Sequence, residues 1–504
     1  MNVPRTLAWA ALDEGDPVAS RARRPLSTAV LNLLPIVILV GAVSADRFGI
    51  RWHGVNLRLE LIAAVVLAVW AFVTWRVAAV HVGVVEWCLA GWLAVGAFSS
   101  VVFSPAPRDS LRLTLLLVGM VALYGVTVVF LRSRADLVRA AVVWITLGTL
   151  VAMIGIVDAI LYALLGTHLG IAFDGTAYGT VVVYAPRVTS TLWEANIFGS
   201  YMLIVWALAF ALNLSPAART PGRAWALRIA MAAATAGIVI STTRVVWVVA
   251  PLMMLGMLAF ALQRGLFARR KRLADFINPS LAGIAIGLAL ATAMSVVDCP
   301  MTTSTSSQPA AVTPVVGAGP APAAANPTVG PGCVRGGSVF MQHSRGFFAA
   351  GSTSSFTGRL KIAQQALKGW LHRPVLGYGS GSYSYVFGAA AGGWLGNLPL
   401  HILFDTGIVG FILLLVALVA AGRAAFRALG AAAPTRPSPA SGGGTSPWEP
   451  AHYVLFGLVA AGLALLATYE FTDGTWLGFT WVFLGMLVAG GRLTKRVGQR
   501  LRSA

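Results

Sequence analysis

A few polar residues stand where an apolar chain has least reason to hold them. Arg187 and Glu194 come just before an apolar run that opens at Ala195, with Asn196 immediately inside it. Arg244 follows Thr242 and Thr243 in the short break Ser241–Arg244 between two further apolar runs. Arg359 opens an amphipathic stretch, and Gly377 and Gly379 lie in the tight glycine-rich turn that ends it. Asn397, His401 and Asp405 are spaced i, i+4, i+8, which sets all three on one stripe of one helix. Ionisable groups at membrane depth are costly and mark function by default. Arginine forks match phosphate oxygens and stay charged in a low-dielectric site. Three arginines with a few carboxylates on one side therefore suggest a site for a phosphate-bearing ligand, and beside a membrane that is a lipid headgroup or a lipid diphosphate. Each group alone also has a plainer reading: a snorkelling arginine, an Arg187–Glu194 ion pair, or a packing histidine. The chain has no DxD-type pair on an outer loop and no His/Cys cluster at ligand spacing, so no metal and no other cofactor is expected.

The elements that must position these residues follow from composition. Of 504 residues, 57% are hydrophobic and 11% charged, against about 25% charged in an ordinary soluble domain. Mean hydropathy is +0.78. A soluble fold of this size could not bury so much apolar surface, so lipid is the solvent for most of the chain. A soluble enzyme, a disordered chain and a disulfide scaffold are excluded. Twelve apolar runs of spanning length begin near Leu26, Leu59, Val84, Leu111, Val138, Ala195, Ala226, Val245, Pro279, Leu398, Ala451 and Trp476. The expected fold is an all-α polytopic membrane protein of about 12 transmembrane helices. The weakest boundary is Ser241–Arg244, where one broken helix with a re-entrant piece is the other reading. With the N-terminus inside, the seven inside segments hold 24 of the 37 Lys and Arg residues. Positive-inside retention thus accounts for most of the +20 net charge, and both termini read as cytoplasmic. Nucleic acid need not be invoked. The first 25 residues are polar and charged rather than a cleavable signal, so the first helix would target the chain.

The chain then divides as a cytoplasmic tail (1–25), nine helices (26–297), a large outer loop (298–397), three more helices (398–490) and a basic cytoplasmic tail (491–504). The outer loop starts with a low-complexity stretch, 302–331, that cannot bury a core. Cys299 and Cys333 bracket it and read as an extracytoplasmic disulfide, two free thiols being the alternative. Cys88 reads as a core residue. Residues 359–372 place Leu360, Ala363, Leu367, Trp370 and Leu371 at helical spacing, which suggests an interfacial helix or one packed on the rest of the loop. Residues 432–450 read as a flexible cytoplasmic linker.

Four segments in order carry a resemblance. Arg187-Val-Thr-Ser-Thr-Leu-Trp-Glu-Ala-Asn196 resembles the R-x-x-G-x-x-x-x-P-N segment of the O-antigen ligase and polymerase superfamily. Ser241-Thr-Thr-Arg244 resembles its S-R motif at the head of a helix. Arg359 with Pro374-Val-Leu-Gly377-Tyr-Gly379 is similar to its R…P-x-x-G-x-G stretch. The run from Asn397 to Gly410 is similar to its H-N-x-x-L…E-x-G-x-x-G element. Here Ser190 and Ala195 replace the family's Gly and Pro, Gly396 its His, and Asp405 its Glu. The resemblance implies a glycosyltransferase of the bacterial cytoplasmic (inner) membrane, active on the extracytoplasmic side without a metal. Its donor would be a polyprenyl-diphosphate-linked oligosaccharide and its acceptor lipid A-core or another glycan, with membrane lipids around it. Arg187, Arg244 and Arg359 would bind the leaving diphosphate. Asn196, Asn397, Gly377 and Gly379 would position the acceptor. Glu194, Asp405 and His401 are the catalytic candidates, with Glu194 first because it lies in the arginine motif. Helix count alone also admits an exporter of lipid-linked saccharide, although there is no clear internal repeat.

Overall fold

The computed structural model describes residues 26–45, 47–52, 55–74, 82–178, 181–266, 271–300, 334–338, 354–388, 395–431 and 448–503. Nine of its helices are long and apolar enough to cross a membrane. Three shorter apolar stretches, Leu33–Val43, Leu59–Val73 and Gly478–Thr494, complete the set. They fall one for one on the twelve apolar runs. In chain order the helices are α1 (Leu26–Val43), α2 (Leu59–Val73), α3 (Val84–Val102), α4 (Pro107–Phe130), α5 (Arg134–Leu165), α6 (Ala195–Leu214), α7 (Pro221–Ile240), α8 (Arg244–Gln263), α9 (Lys271–Ala293), α10 (Ser354–Trp370), α11 (Tyr383–Phe387), α12 (Leu398–Ala431), α13 (Pro450–Tyr469) and α14 (Gly478–Ser503). The chain is thus mostly helical and multi-pass.

Local chemistry sets the helix ends. Pro107, Pro221 and Pro450 sit in first turns, where a missing N–H costs nothing. Ser133 and Asp136 form a capping box on α5, and Gly166 closes that helix with φ +72°. The outward faces stay apolar, with Phe72, Leu115, Leu164 and Leu252 exposed, as lipid requires. α6 differs. Apart from Asn196 and Asn213 its residues are buried, so this helix, apolar all round, is the central post of the bundle. Trp144 stacks on its Tyr201 at 5.7 Å, and Phe479 meets the same ring edge-on at 5.5 Å.

Polar contacts collect at two opposite ends. At one end Arg492 bonds both oxygens of Glu86 at 2.7 and 2.8 Å, Tyr124 donates to Glu86, Arg134 pairs with Glu449, and Arg228 pairs with Asp275 at 2.8 Å. The other end carries strands. β1 (Gly49–Trp52) and β2 (Val55–Arg58) form a hairpin. β3 (Ile171–Tyr178), β4 (Val181–Val188), β5 (Ser295–Pro300) and β6 (Val334–Ser338) form an antiparallel sheet in sequence order. Arg187 lies opposite Ala172 in this ladder. These strands correct the all-α expectation. The β-branched run Val181–Val183 is too short to span lipid, and it pairs where backbone groups can meet other strands.

Other boundaries also move. The amphipathic helix begins at Ser354, ahead of Arg359, and ends at Trp370. The last helix continues to Ser503, so residues 491–503 extend it rather than forming a separate tail. Ser241–Arg244 is a true break between two helices, α7 and α8. Cys333, the low-complexity stretch 302–331, residues 1–25 and most of the linker (432–447) lie outside the described residues. Of the proposed cysteine pair, only the backbone of Cys299 is placed, opposite Val182 in the sheet. Cys88 is half-buried against the core.

Candidate active site

The strand-bearing end holds two polar clusters. The first forms where β4, the head of α6 and the head of α8 meet. Arg187 Nη2 donates to Asn196 Oδ1 at 2.8 Å and to Thr243 Oγ1 at 3.2 Å. Thr243 in turn donates to Asn196 Oδ1 at 3.2 Å. Arg244 is the first residue of α8, half-buried, and has no hydrogen-bond or ion-pair partner among the described residues. Its cationic head therefore stands at a helix N-terminus, where unpaired N–H groups already favour an anion. Glu194 is the half-buried residue that precedes α6.

The backbone under this cluster is strained. Thr242 has φ +50° and Ser190 φ +56°, the left-handed region that glycine favours and β-branched residues avoid. Each such residue costs on the order of 1–3 kcal/mol and persists only when its surroundings dictate it. Ser190 holds this φ without being glycine. Its hydroxyl donates to the Val151 carbonyl at 2.7 Å, and Ser190 packs so closely on Gly170 that a Cβ there would lie 2.5 Å from the Ser190 carbonyl oxygen. At Thr242 the chain turns from α7 into α8, and the next residue, Thr243, meets Arg187.

The second cluster is acidic and centred on α12. His401 is held between two carboxylates. Its Nε2 lies 3.0 Å from Asp405 Oδ2, one turn on, and its Nδ1 is hydrogen-bonded to Asp473 Oδ2. Asp473 Oδ1 also accepts from the Thr475 N–H at 2.8 Å and the Thr475 hydroxyl at 2.7 Å. Burial pushes the Asp473 carboxyl up. The His401 charge and hydrogen bond and the two Thr475 donors outweigh that and hold it below its ordinary value. All three ionisable groups are almost fully buried. Asp405 Oδ2 takes a second bond from Gly381 N–H at 2.8 Å, while its Oδ1 is buried without a partner. Asp405 lines a small cavity of about 10 Å³ with Trp92, Thr114, Ser380 and Trp476, room for about one water-sized group.

The glycine-rich turn fixes Asp405. α12 breaks at Gly407 (φ +64°, ψ −168°), which frees carbonyls that an unbroken helix would use. Tyr378 N–H donates to the Phe404 carbonyl at 2.9 Å and Gly379 N–H to the Asp405 carbonyl at 2.8 Å. Gly377 and Gly379 have φ of +68° and +92°. A Cβ at Gly377 would lie 2.5 Å from the Phe404 carbonyl oxygen, and one at Gly379 would lie 2.5 Å from Ser100 Cα. Only glycine permits this approach. Asn397 caps α12 through Leu400 N–H at 2.9 Å and donates to the Glu470 carbonyl and carboxylate at 2.8 and 3.2 Å.

The clusters share one end of the bundle. Ser200, one turn into α6 from Asn196, reaches Thr468 of α13 at 3.5 Å, one turn before the 470–477 loop that carries Asp473. Arg359 joins the acidic side: it is exposed and donates to the Phe471 carbonyl at 2.8 Å. The structure thus brings Arg187 and Asn196 together through Thr243, the residue before Arg244, and separately Asn397, His401, Asp405 and the turn of Gly377 and Gly379, with Arg359 beside this second group. Asp473 is the central residue the sequence reading did not single out. Its only sequence signal was a carboxylate between the last two apolar runs. Among the described residues no His/Cys/Asp/Glu group has the arrangement to hold a metal ion.

No curated protein matches the chain. Residues 229–415 match a family model described as O-antigen ligase, a stretch that includes Arg244, Arg359, Gly377, Gly379, Asn397, His401 and Asp405. This match, with the motif order and the helical fold, supports a likeness to the O-antigen ligase/polymerase superfamily over that stretch of the chain.

Proposed function

We propose that this protein is a metal-independent glycosyltransferase of the bacterial inner membrane. It moves a glycan from a polyprenyl-diphosphate donor to lipid A-core or to a growing polysaccharide, on the extracytoplasmic side. In this reading the twelve helices span the membrane with both termini cytoplasmic. The strand-bearing end is outside, and the end with Arg492, Arg134 and Arg228 is inside, as positive-inside retention favours.

The observation that carries the reading is the pairing of an arginine cluster with a buried carboxylate–imidazole cluster at one end of the bundle. Arg187, Arg244 and the head of α8 supply positive potential for the leaving diphosphate, whose charge grows as the glycosidic bond breaks. Arg359, on the acidic side, would meet the same group from across the site. Asp405 offers a proton acceptor for the attacking hydroxyl, with His401 orienting it and Asp473 holding the imidazole. Glu194 remains the alternative base, set beside the arginines by sequence. Asn196 fixes the Arg187 guanidinium, and Asn397 with Gly377 and Gly379 fixes the helix break that presents Asp405.

The test is donor consumption by purified protein in detergent, with a polyprenyl-diphosphate oligosaccharide and an acceptor glycan. Loss of a single charge-stabilising donor costs about 10²–10³ in rate. The Arg187→Ala, Arg244→Ala double variant should abolish transfer while still accumulating in the membrane. Normal product from it would overturn the reading. Movement of unchanged lipid-linked saccharide across vesicles, without transfer, would instead favour export.

A further inference from the structure

An apolar cavity lies outside both polar clusters. It is a groove of about 120 Å³ between α12, α13 and α14, comparable with an engineered apolar cavity of about 150 Å³ that takes up benzene. Along α12 its wall is the every-fourth-residue stripe Leu414, Leu418, Gly422 and Phe426, about 18 Å of helix. Leu463 and Leu466 of α13 stand 55% and 45% exposed along the opposite wall, so the groove opens sideways to lipid. Gly422 and Gly462 have no side chain to fill it. At one end the lining turns polar. Tyr469 and Thr480 meet there through their hydroxyls at 2.5 Å, next to Thr475. Thr475 is also a wall of the small cavity lined by Asp405, whose Oδ1 is buried without a partner. The groove therefore ends at the acidic cluster.

We propose that this groove seats the hydrocarbon chain of a membrane-anchored acceptor whose uncharged, hydroxyl-bearing head reaches Asp405. The proposal rests on the transferase reading and deepens it by giving the two lipid substrates separate seats. Charge makes the choice between them. Beyond Thr475, which the groove shares with the small cavity, Asp405 and Asp473 flank one imidazole, so a diphosphate head reaching past it meets two carboxylates. A sugar hydroxyl entering there meets an acceptor oxygen with no partner. The anion-binding features at Arg187 and Arg244 are built on β4 and the heads of α6 and α8, none of which lines the groove. The groove thus orients a hydroxyl toward its base, and the arginine cluster holds the leaving group.

The experiment is photolabelling of the full chain in nanodiscs with a dodecyl glucoside carrying a diazirine in its alkyl chain. Label should fall on α12, α13 and α14. Excess dodecyl glucoside should compete it away, and equal farnesyl diphosphate should not. Gly422→Leu with Gly462→Leu should cut labelling at least tenfold by filling the groove. A Cβ at Gly422 meets no atom within 4 Å, and one at Gly462 meets only Phe483 at 3.5 Å, so both leucines enter open space. Leucine also favours helix over glycine. Equal competition by farnesyl diphosphate, label elsewhere, or labelling unchanged in the double variant would each overturn the proposal. The wild-type competition pattern decides the matter even if the variant folds poorly. Labelling needs no turnover, so it separates failure of this proposal from failure of the transferase reading, which donor consumption reads.

Discussion

Replacing Asp473 by Asn tests whether the buried histidine is held for a purpose. The carboxylate uses both oxygens, one on His401 Nδ1 and one on the N–H and hydroxyl of Thr475. An Asn has a single acceptor oxygen and can serve one side only. Removing one partner of a buried ion pair costs about 3–5 kcal/mol. His401 keeps Asp405 on its other nitrogen, so the expected loss is at the lower end, about 3 kcal/mol. The pH dependence has a definite sign. Because the Asp473 carboxyl is held below its ordinary value, its contribution is fully present above about pH 4, the unfolded carboxylate value. It is lost only as pH falls through the lower, folded value. Thermal unfolding in detergent should therefore show a wild-type advantage that is flat from pH 7 to about pH 4 and shrinks below it. Transfer rate should fall by about 10²-fold, because a reorientation of order 1 Å carries that cost. A difference that grows toward acid pH, or a variant within twofold of wild type in rate at full accumulation, would refute the reasoning.

Three more changes probe separate parts. Gly379→Ala places a methyl against the backbone of Ser100 at φ +92°, and should cost about 2–4 kcal/mol from overpacking and left-handed strain together, read as a lowered unfolding temperature with reduced transfer. Glu194→Gln measures the alternative base: activity retained in full assigns proton removal to the Asp405–His401 pair, and loss comparable with Asp405→Asn returns it to Glu194. Glu86→Gln weakens the tie among Gly83, Tyr124 and Arg492 at the far end of the bundle, so unfolding should be easier by about 1–3 kcal/mol while kcat per folded molecule stays unchanged.

Much of the scaffold was legible because lipid imposes a simple demand. Apolar runs of spanning length became helices one for one, and even the four-residue interruption at Ser241–Arg244 proved to be a turn between two of them. The arginine cluster was half legible. Arg187 and Asn196 meet Thr243, next to Arg244 in the chain, whereas Arg359 lies with Phe471 beside the acidic residues. No local pattern could assign that position, because it depends on where residues 470–477 return to the bundle. The same long range hid Asp473, which is separated from its histidine by 72 residues. The i, i+4, i+8 stripe gave the His401–Asp405 contact directly. It could not show that the helix breaks at Gly407, since the partner carbonyls are claimed by a turn supplied from the preceding loop. The strands were missed because their pairing partners are distant in sequence, β4 lying against β5 across more than a hundred residues.

The loop holding Asp473 and Trp476 leads into the last helix, whereas the arginine cluster is made from residues between Arg187 and Arg244. Biosynthesis therefore completes the two halves at different times. As helices enter the membrane in order, the electropositive half forms once α8 is in place. His401 receives its second carboxylate only after α13 has turned back at Glu470. During that interval the nascent chain can bind an anion but lacks the Asp473 bond that fixes the imidazole. Under the proposed function, the seat of the donor diphosphate is thus built before the base is held in place.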